Sequence, residues 1–293
     1  MTDTGYTYKS NQIFAPLPSC ALDIAYFKKL YEILNKITQE AAEIEISKLK
    51  KNPGQSDDDF NKLKDYAKSL YNLSIQIFGR KGEYIFSDSP SIFDEVRLPD
   101  HITKIIFDNS LKFNFSLKKD PLNKIRVEFD FQKAKVFDFV TSPSEATPNT
   151  STIYVLGENE TWVSGAYKNV IQSLQERANK RSWLHKTNIY DLFLWFIVMP
   201  LGFFSIYKID RAFSLRTSGI SSVFVAALYL YFFIIVLNLF RMAFNYARWV
   251  FPKMEVITAL RKGAIVHRII LGMIFFAIFT SFIYDLLKLI FKF

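Results

Sequence analysis

Cysteine is almost absent: Cys20 stands alone in 293 residues. That excludes an intramolecular disulfide and any cysteine cluster for metal, and it agrees with a reducing compartment. Histidine is nearly as scarce. His101, His185 and His267 are scattered, and the last two flank apolar runs, a place for interfacial side chains rather than a general base. There is no Gly-rich phosphate loop, no HExxH, no GxSxG and no Cys/His spacing for zinc. No cofactor and no metal are therefore expected, and the chain does not read as an enzyme. The carboxylates Glu128 and Asp130 alternate along one side of an expected strand, which describes an exposed face better than a paired acid and base. The opening residues, MTDTGYTYKSNQIF, lack the basic start and apolar run of a secretory signal, so the amino-terminal half is expected to stay cytoplasmic.

Positive charge is in excess, but unevenly. Up to Lys186 there are 26 Lys+Arg against 24 Asp+Glu; beyond it there are 11 against 4. The excess therefore lies between long apolar runs, where basic residues meet anionic headgroups. An extensive nucleic-acid surface would instead need a basic face on the soluble part.

The longest apolar run is Ile220–Tyr246. As a helix it reaches about 40 Å, against about 30 Å for the hydrocarbon core of a bilayer. Ile189–Ile206, interrupted by Pro200 and Gly202, and Ile269–Leu287 read as two further spans. Residues 247–268 are too charged to cross and are expected to lie on the surface as an amphipathic segment, although part of 250–266 re-entering the membrane would make a fourth span. The basic cluster Arg177, Lys180, Arg181 and Lys186 around Trp183 marks a cytoplasmic membrane boundary, or else a site for an acidic lipid or phosphate. Basic counts on the two sides, nine against five, place the amino terminus inside.

Polar groups within the spans are costly and so informative. Asn238, Arg241, Asn245 and Arg248 step by three, four and three along one helix face. They read as helix–helix glue or as the lining of a water-filled vestibule. Asp191 starts the first span at a similar depth, so an Asp191–Arg241 pair is geometrically reasonable. Ala277, Ser281 and Asp285 share a face of the third span, with Asp285 near the outer boundary. It reads either as a salt-bridge partner of Arg211, Arg216 or Lys288, or, in a cyclic homo-oligomer, as one member of an acidic ring that attracts cations.

The polar half has its own pattern. Residues 1–19 read as an irregular lead-in. Residues 20–82 read as a helical hairpin: Tyr26, Leu30, Ile33, Ile37, Ala41 and Ile44 form one stripe, and a second helix starts at Ser56 and continues to Phe78. The hairpin packs on the next domain or joins copies into a bundle. Residues 83–187 read as a small α+β domain, with strands at Ile102–Phe107, Leu111–Leu117, Ile125–Phe131, Ala134–Val140 and Thr152–Leu156 and a helix over Trp162–Ala178. Residues 188–293 complete the expected fold class, a multi-pass α-helical membrane protein with a cytosolic helical hairpin and a small α+β domain.

This layout, a cytosolic sensor-like half followed by carboxyl-terminal spans, resembles membrane effectors of bacterial anti-phage defence, most of all the channel subunit of Hailong-type systems. The resemblance implies an oligomeric, ligand-gated ion channel of the bacterial inner membrane that depolarises the infected cell. It implies control by a nucleotide or oligonucleotide signal from a partner nucleotidyltransferase. A membrane-tethered receptor or binding module, whose spans only anchor and oligomerise it in the lipid bilayer, is the competing expectation.

Overall fold

The structure is a computed structural model that describes residues 10–94, 98–138, 140–213, 219, 221–257 and 262–291. The chain divides into two compact units. One comprises Met1–Gln132, Asn149–Asn179 and Met254–Thr258; the other comprises Lys133–Pro148, Lys180–Lys253 and Ala259–Phe293.

In the first unit, β1 (Asn11–Pro16) and β2 (Cys20–Asp23) precede the long helix α1 (Ile24–Ile46). Asp23 ends the strand and caps the helix, its carboxylate accepting from the Tyr26 amide at 2.7 Å. Helix α2 (Asp57–Leu70) begins at Ser56, whose hydroxyl accepts from the Asp59 amide at 3.0 Å, and three Asp residues fill its first turn. Strands β3 (Ser74–Gly79), β4 (Tyr84–Ser87) and β5 (Ile102–Asp108) follow, then the short helix α3 (Leu111–Leu117), β6 (Lys124–Asp130), β7 (Thr152–Gly157) and α4 (Glu160–Gln175).

Six of these strands make one antiparallel sheet in the order β1-β7-β6-β5-β3-β4. Alternation sorts its side chains. Ala15, Ile153, Val127, Phe107 and Ile75 stand in register on the side that α1 and α4 cover. Rings of Phe27, Phe93, Phe107, Phe129 and Phe131 meet there at 5.6–6.4 Å between centroids. The opposite side carries an ion-pair network, in which Lys104 bonds Glu128 at 2.5 Å and Arg126 bridges Glu128 at 3.1 Å and Asp108 at 3.5 Å.

The stripe on α1 is thus part of the sheet's core, and residues 20–82 are not a free-standing hairpin. Leu70, Leu73, Ile75 and Ile77 fit both a helical and an alternating period, so what reads as the end of the second helix is strand β3. Leu111–Leu117 alternates yet forms α3, where Phe113 turns to Tyr71 with ring centroids 5.3 Å apart and Phe115 is exposed. Residues 11–16, expected to be irregular, pair with β7 over all six positions.

In the second unit, α5 (Ile189–Phe193) runs through one wide turn into α6 (Met199–Phe213). At that turn the Met199 N–H donates to the Leu194 carbonyl, five residues back, just ahead of Pro200, whose missing donor and bulky ring upset ordinary helical bonding. Helix α7 (Ser222–Val250) is a single 29-residue helix, and Gly202 lets α6 approach it: a Cβ there would lie 3.1 Å from the Phe233 ring. Of the expected amphipathic segment 247–268, the described residues up to Val250 belong to α7. Met254–Ile257 form a strand, β8, which is part of the first unit and pairs there in parallel with β2, and Lys262 onward belongs to α8 (Lys262–Phe291).

Among the described residues two helices are long and apolar enough to cross a membrane, Ile189–Arg211 and Ser222–Val250. In α8 the apolar stretch among the described residues is Ile265–Ser281, and the expected third span, Ile269–Leu287, runs beyond it to side chains that lie outside the described residues. The fold class expected from the sequence, a multi-pass α-helical membrane protein with a cytosolic hairpin and a small α+β domain, is therefore corrected. The chain is an α+β protein built on a six-stranded antiparallel sheet, with a second, helical unit that carries two apolar helices.

Candidate functional site

The polar face of α7 gathers the most chemistry in the second unit. Arg241 donates through Nε to the Asp138 carbonyl and through Nη2 to the Thr141 carbonyl, both at 3.0 Å. One turn on, the Asn245 amide reaches the Val136 carbonyl at 3.5 Å. Arg248, only 4% exposed, donates to the Leu184 carbonyl at 3.2 Å and the Glu145 carbonyl at 3.1 Å, and its guanidinium covers the Phe244 ring at 4.7 Å. Asn238, the first member of the face, is exposed and turns back to its own helix, bonding the Ile234 carbonyl at 2.9 Å.

The segment Lys133–Pro148 is laced to α7 by these donors. Residues 134–140 alternate like a strand, but the described ones among them form none, and the carbonyls of Val136 and Asp138 accept from Asn245 and Arg241 instead. Asp138 shapes the next turn: its carboxylate accepts from the Val140 and Thr141 amides, each at 3.0 Å, which holds it below the usual carboxylate range. Ser144 closes the segment onto α5, its hydroxyl donating to Asp191 at 2.7 Å and its carbonyl accepting from the Asn188 amide at 2.8 Å. Asp191 and Arg241 thus each hold this segment.

His185 lies between the same segment and the residue that follows α7. Its Nε2 lies 2.6 Å from the Phe251 carbonyl and its Nδ1 2.9 Å from the Thr147 hydroxyl. A carbonyl only accepts, so Nε2 carries the proton and Nδ1 accepts from Thr147. Burial brings the ring down to about 4, the Phe251 carbonyl opposes that shift, and the positive charges of Arg248 and Lys253 add to it. The shift favours the neutral imidazole, which is the form that both hydrogen bonds require.

Around the end of α7 cations lie over aromatic rings. Lys133 sits 4.0 Å from the centre of Trp249, and Arg181 and Arg268 sit 4.4 and 5.4 Å from the centre of Phe251. The Tyr246 hydroxyl meets His267 Nδ1 at 2.8 Å. Of the basic cluster read from the sequence, Lys180, Arg181 and Lys186 are exposed in this unit. Arg177 belongs to the first unit, where it pairs with Asp23 at 3.9 Å and lies 6.0 Å from the Tyr26 ring centre.

The remaining candidates are placed as follows. Ser281 is exposed on α8, and the side chain of Asp285 lies outside the described residues, as does all of Arg216. Glu128 lies in the ion-pair network of the sheet. Burial alone would raise its pKa, but Lys104 and Arg126 outweigh that and hold it low. Asp130 is buried, accepting from Thr150 at 2.9 Å and from the Gln132 amide at 2.9 Å, so it clamps a loop instead of facing water. Among the described residues no three His, Cys, Asp or Glu side chains come together as a metal would require. The sequence reads His185 as an interfacial side chain, whereas it is buried, and Thr147 went unread because a lone Thr carries no spacing signal. The sequence did place Arg248 on the polar face.

No protein-family model, no curated protein and no solved structure matches this chain.

Proposed function

We propose that this chain is a non-enzymatic, membrane-tethered binding module, anchored in lipid by the apolar helices of the second unit, with the sheet domain as its soluble part. The observation that carries the reading is the uncovered apolar surface of those helices. Phe196 is 77% exposed and Val223 76%, and Trp195, Phe203, Leu230 and Leu239 are exposed beside them. So much contiguous apolar surface in water is unfavourable, whereas in a bilayer it is matched. The binding role rests on the open side of the sheet, where exposed Phe14 and Phe86 flank the charged network.

A pore-forming channel is the second reading, and the engagement of Arg241, Asn245 and Arg248 with backbone carbonyls counts against these residues lining its vestibule. Membrane fractions of cells producing the full chain, washed with alkaline carbonate, test the anchor. The protein is expected to stay in the pellet; release into the supernatant would sink the proposal. Dye-loaded vesicles carrying the protein separate the two readings, since a tether leaves them sealed and a channel discharges them.

A further inference from the structure

We infer that the end of the second unit where α5 begins and α7 ends is a docking surface for the headgroups of an anionic bilayer. This rests on the tethering proposed above and adds to it the class of lipid. Residues 180–188 and 248–253 contribute Lys180, Arg181, Lys186, Arg248 and Lys253 and contain neither Asp nor Glu. Lys180, Arg181 and Lys186 are exposed, and Trp183 beside them is 44% exposed while stacking on Phe193, at 6.0 Å between ring centroids. An amphipathic indole among cations is the composition that headgroup level favours.

Two further groups sharpen the inference. Lys253 is half-buried and forms no hydrogen bond or ion pair among the described residues, and its burial disfavours its charge. Arg248 bonds only neutral carbonyls and faces the neutral ring of His185, so its charge is not cancelled there. The acids of the same unit nearest in sequence are otherwise engaged. Asp191 accepts from Ser144, and Asp138 accepts from the amides of its own turn; Glu145 is exposed and offers Arg248 its carbonyl. The surface therefore keeps a positive potential next to two apolar helices, which fits phosphodiester headgroups carrying net negative charge.

The test uses the full chain in phosphatidylcholine nanodiscs containing a small fraction of brominated lipid, with quenching of tryptophan emission as the readout. Brominated phosphatidylglycerol is expected to quench several-fold more than brominated phosphatidylcholine at the same mole fraction. Loss of that preference in the triple variant Lys180→Gln/Lys186→Gln/Lys253→Gln, and its fading at high salt, would support the site. Equal quenching by the two lipids in the unaltered protein would overturn the headgroup surface while leaving the tether intact. No quenching by either would overturn the tether, and this inference with it. Abolition of the preference by millimolar inorganic phosphate at constant ionic strength would make the surface a free-phosphate site and overturn the bilayer assignment.

Discussion

Charged side chains in the two units solve the same problem differently. On the open side of the sheet, Lys104, Arg126, Glu128 and Asp108 answer one another, charge against charge, at a partly wet surface. At the end of α7, Arg241, Asn245 and Arg248 answer backbone carbonyls of a segment that forms no ladder among the described residues. The first arrangement cancels charge and contributes little stability, because water competes for each partner. The second spends its donors on holding a loop, which makes α7 the organiser of its unit. The apolar side chains differ in parallel: most of those on the α1 side of the sheet are shut inside, whereas many of those of α6 and α7 face outward.

The largest expected effect breaks this last contrast. Phe129→Ala empties a site packed by Phe27, Phe107 and Phe131 and is expected to cost about 3–5 kcal/mol. Phe196→Ala, in the wide turn between α5 and α6, removes an outward ring and should change stability in detergent by less than about 0.5 kcal/mol. Denaturant unfolding of both variants measures the difference, and equal losses would mean that Phe196 is packed.

The next effect concerns pH. His185 has a folded value near 4, below its ordinary 6.5, so between these values the unfolded chain binds more protons than the folded one. Its contribution is complete above pH 6.5 and is lost as pH falls towards 4, by up to about 3 kcal/mol in total. Melting temperature followed from pH 7 to 4 should show this slope, and His185→Gln should flatten it. An unchanged slope in that variant would assign the acid sensitivity to other groups.

The smallest effect compares the two kinds of charge. Arg248→Met leaves the carbonyls of Leu184 and Glu145 without their donor and is expected to cost about 2 kcal/mol. Lys104→Met, which removes one partner of a half-exposed pair, should cost less than about 1 kcal/mol. Limited proteolysis within 133–148 should accelerate only in the arginine variant; faster cleavage in both would erase the distinction.

Much of the sheet domain was legible in outline and little of it in detail. The stripe of α1 was plain from Tyr26 to Ile44, and β5, β6 and β7 followed from alternation at nearly their observed limits. The errors fell where two periods fit equally well, as at residues 70–77, or where alternation had no ladder to join, as at 134–140. The polar face of α7 was legible as a face, since spacing alone puts Arg241, Asn245 and Arg248 in line. Its partners were not, because the acceptors are backbone carbonyls, which every residue possesses and no side-chain pattern marks.

What the sequence by itself determined is local: a helix long and apolar enough to span a membrane, a stripe of donors on one side of it, and a capping Ser. Each depends on residues three or four apart, within reach of a single turn. The tertiary structure alone decided what those donors hold. Arg241 meets a carbonyl 103 residues earlier in the chain, and β8 joins β2 across more than two hundred residues. Only such long-range closure removes a backbone group from water, and so only it makes the donor necessary.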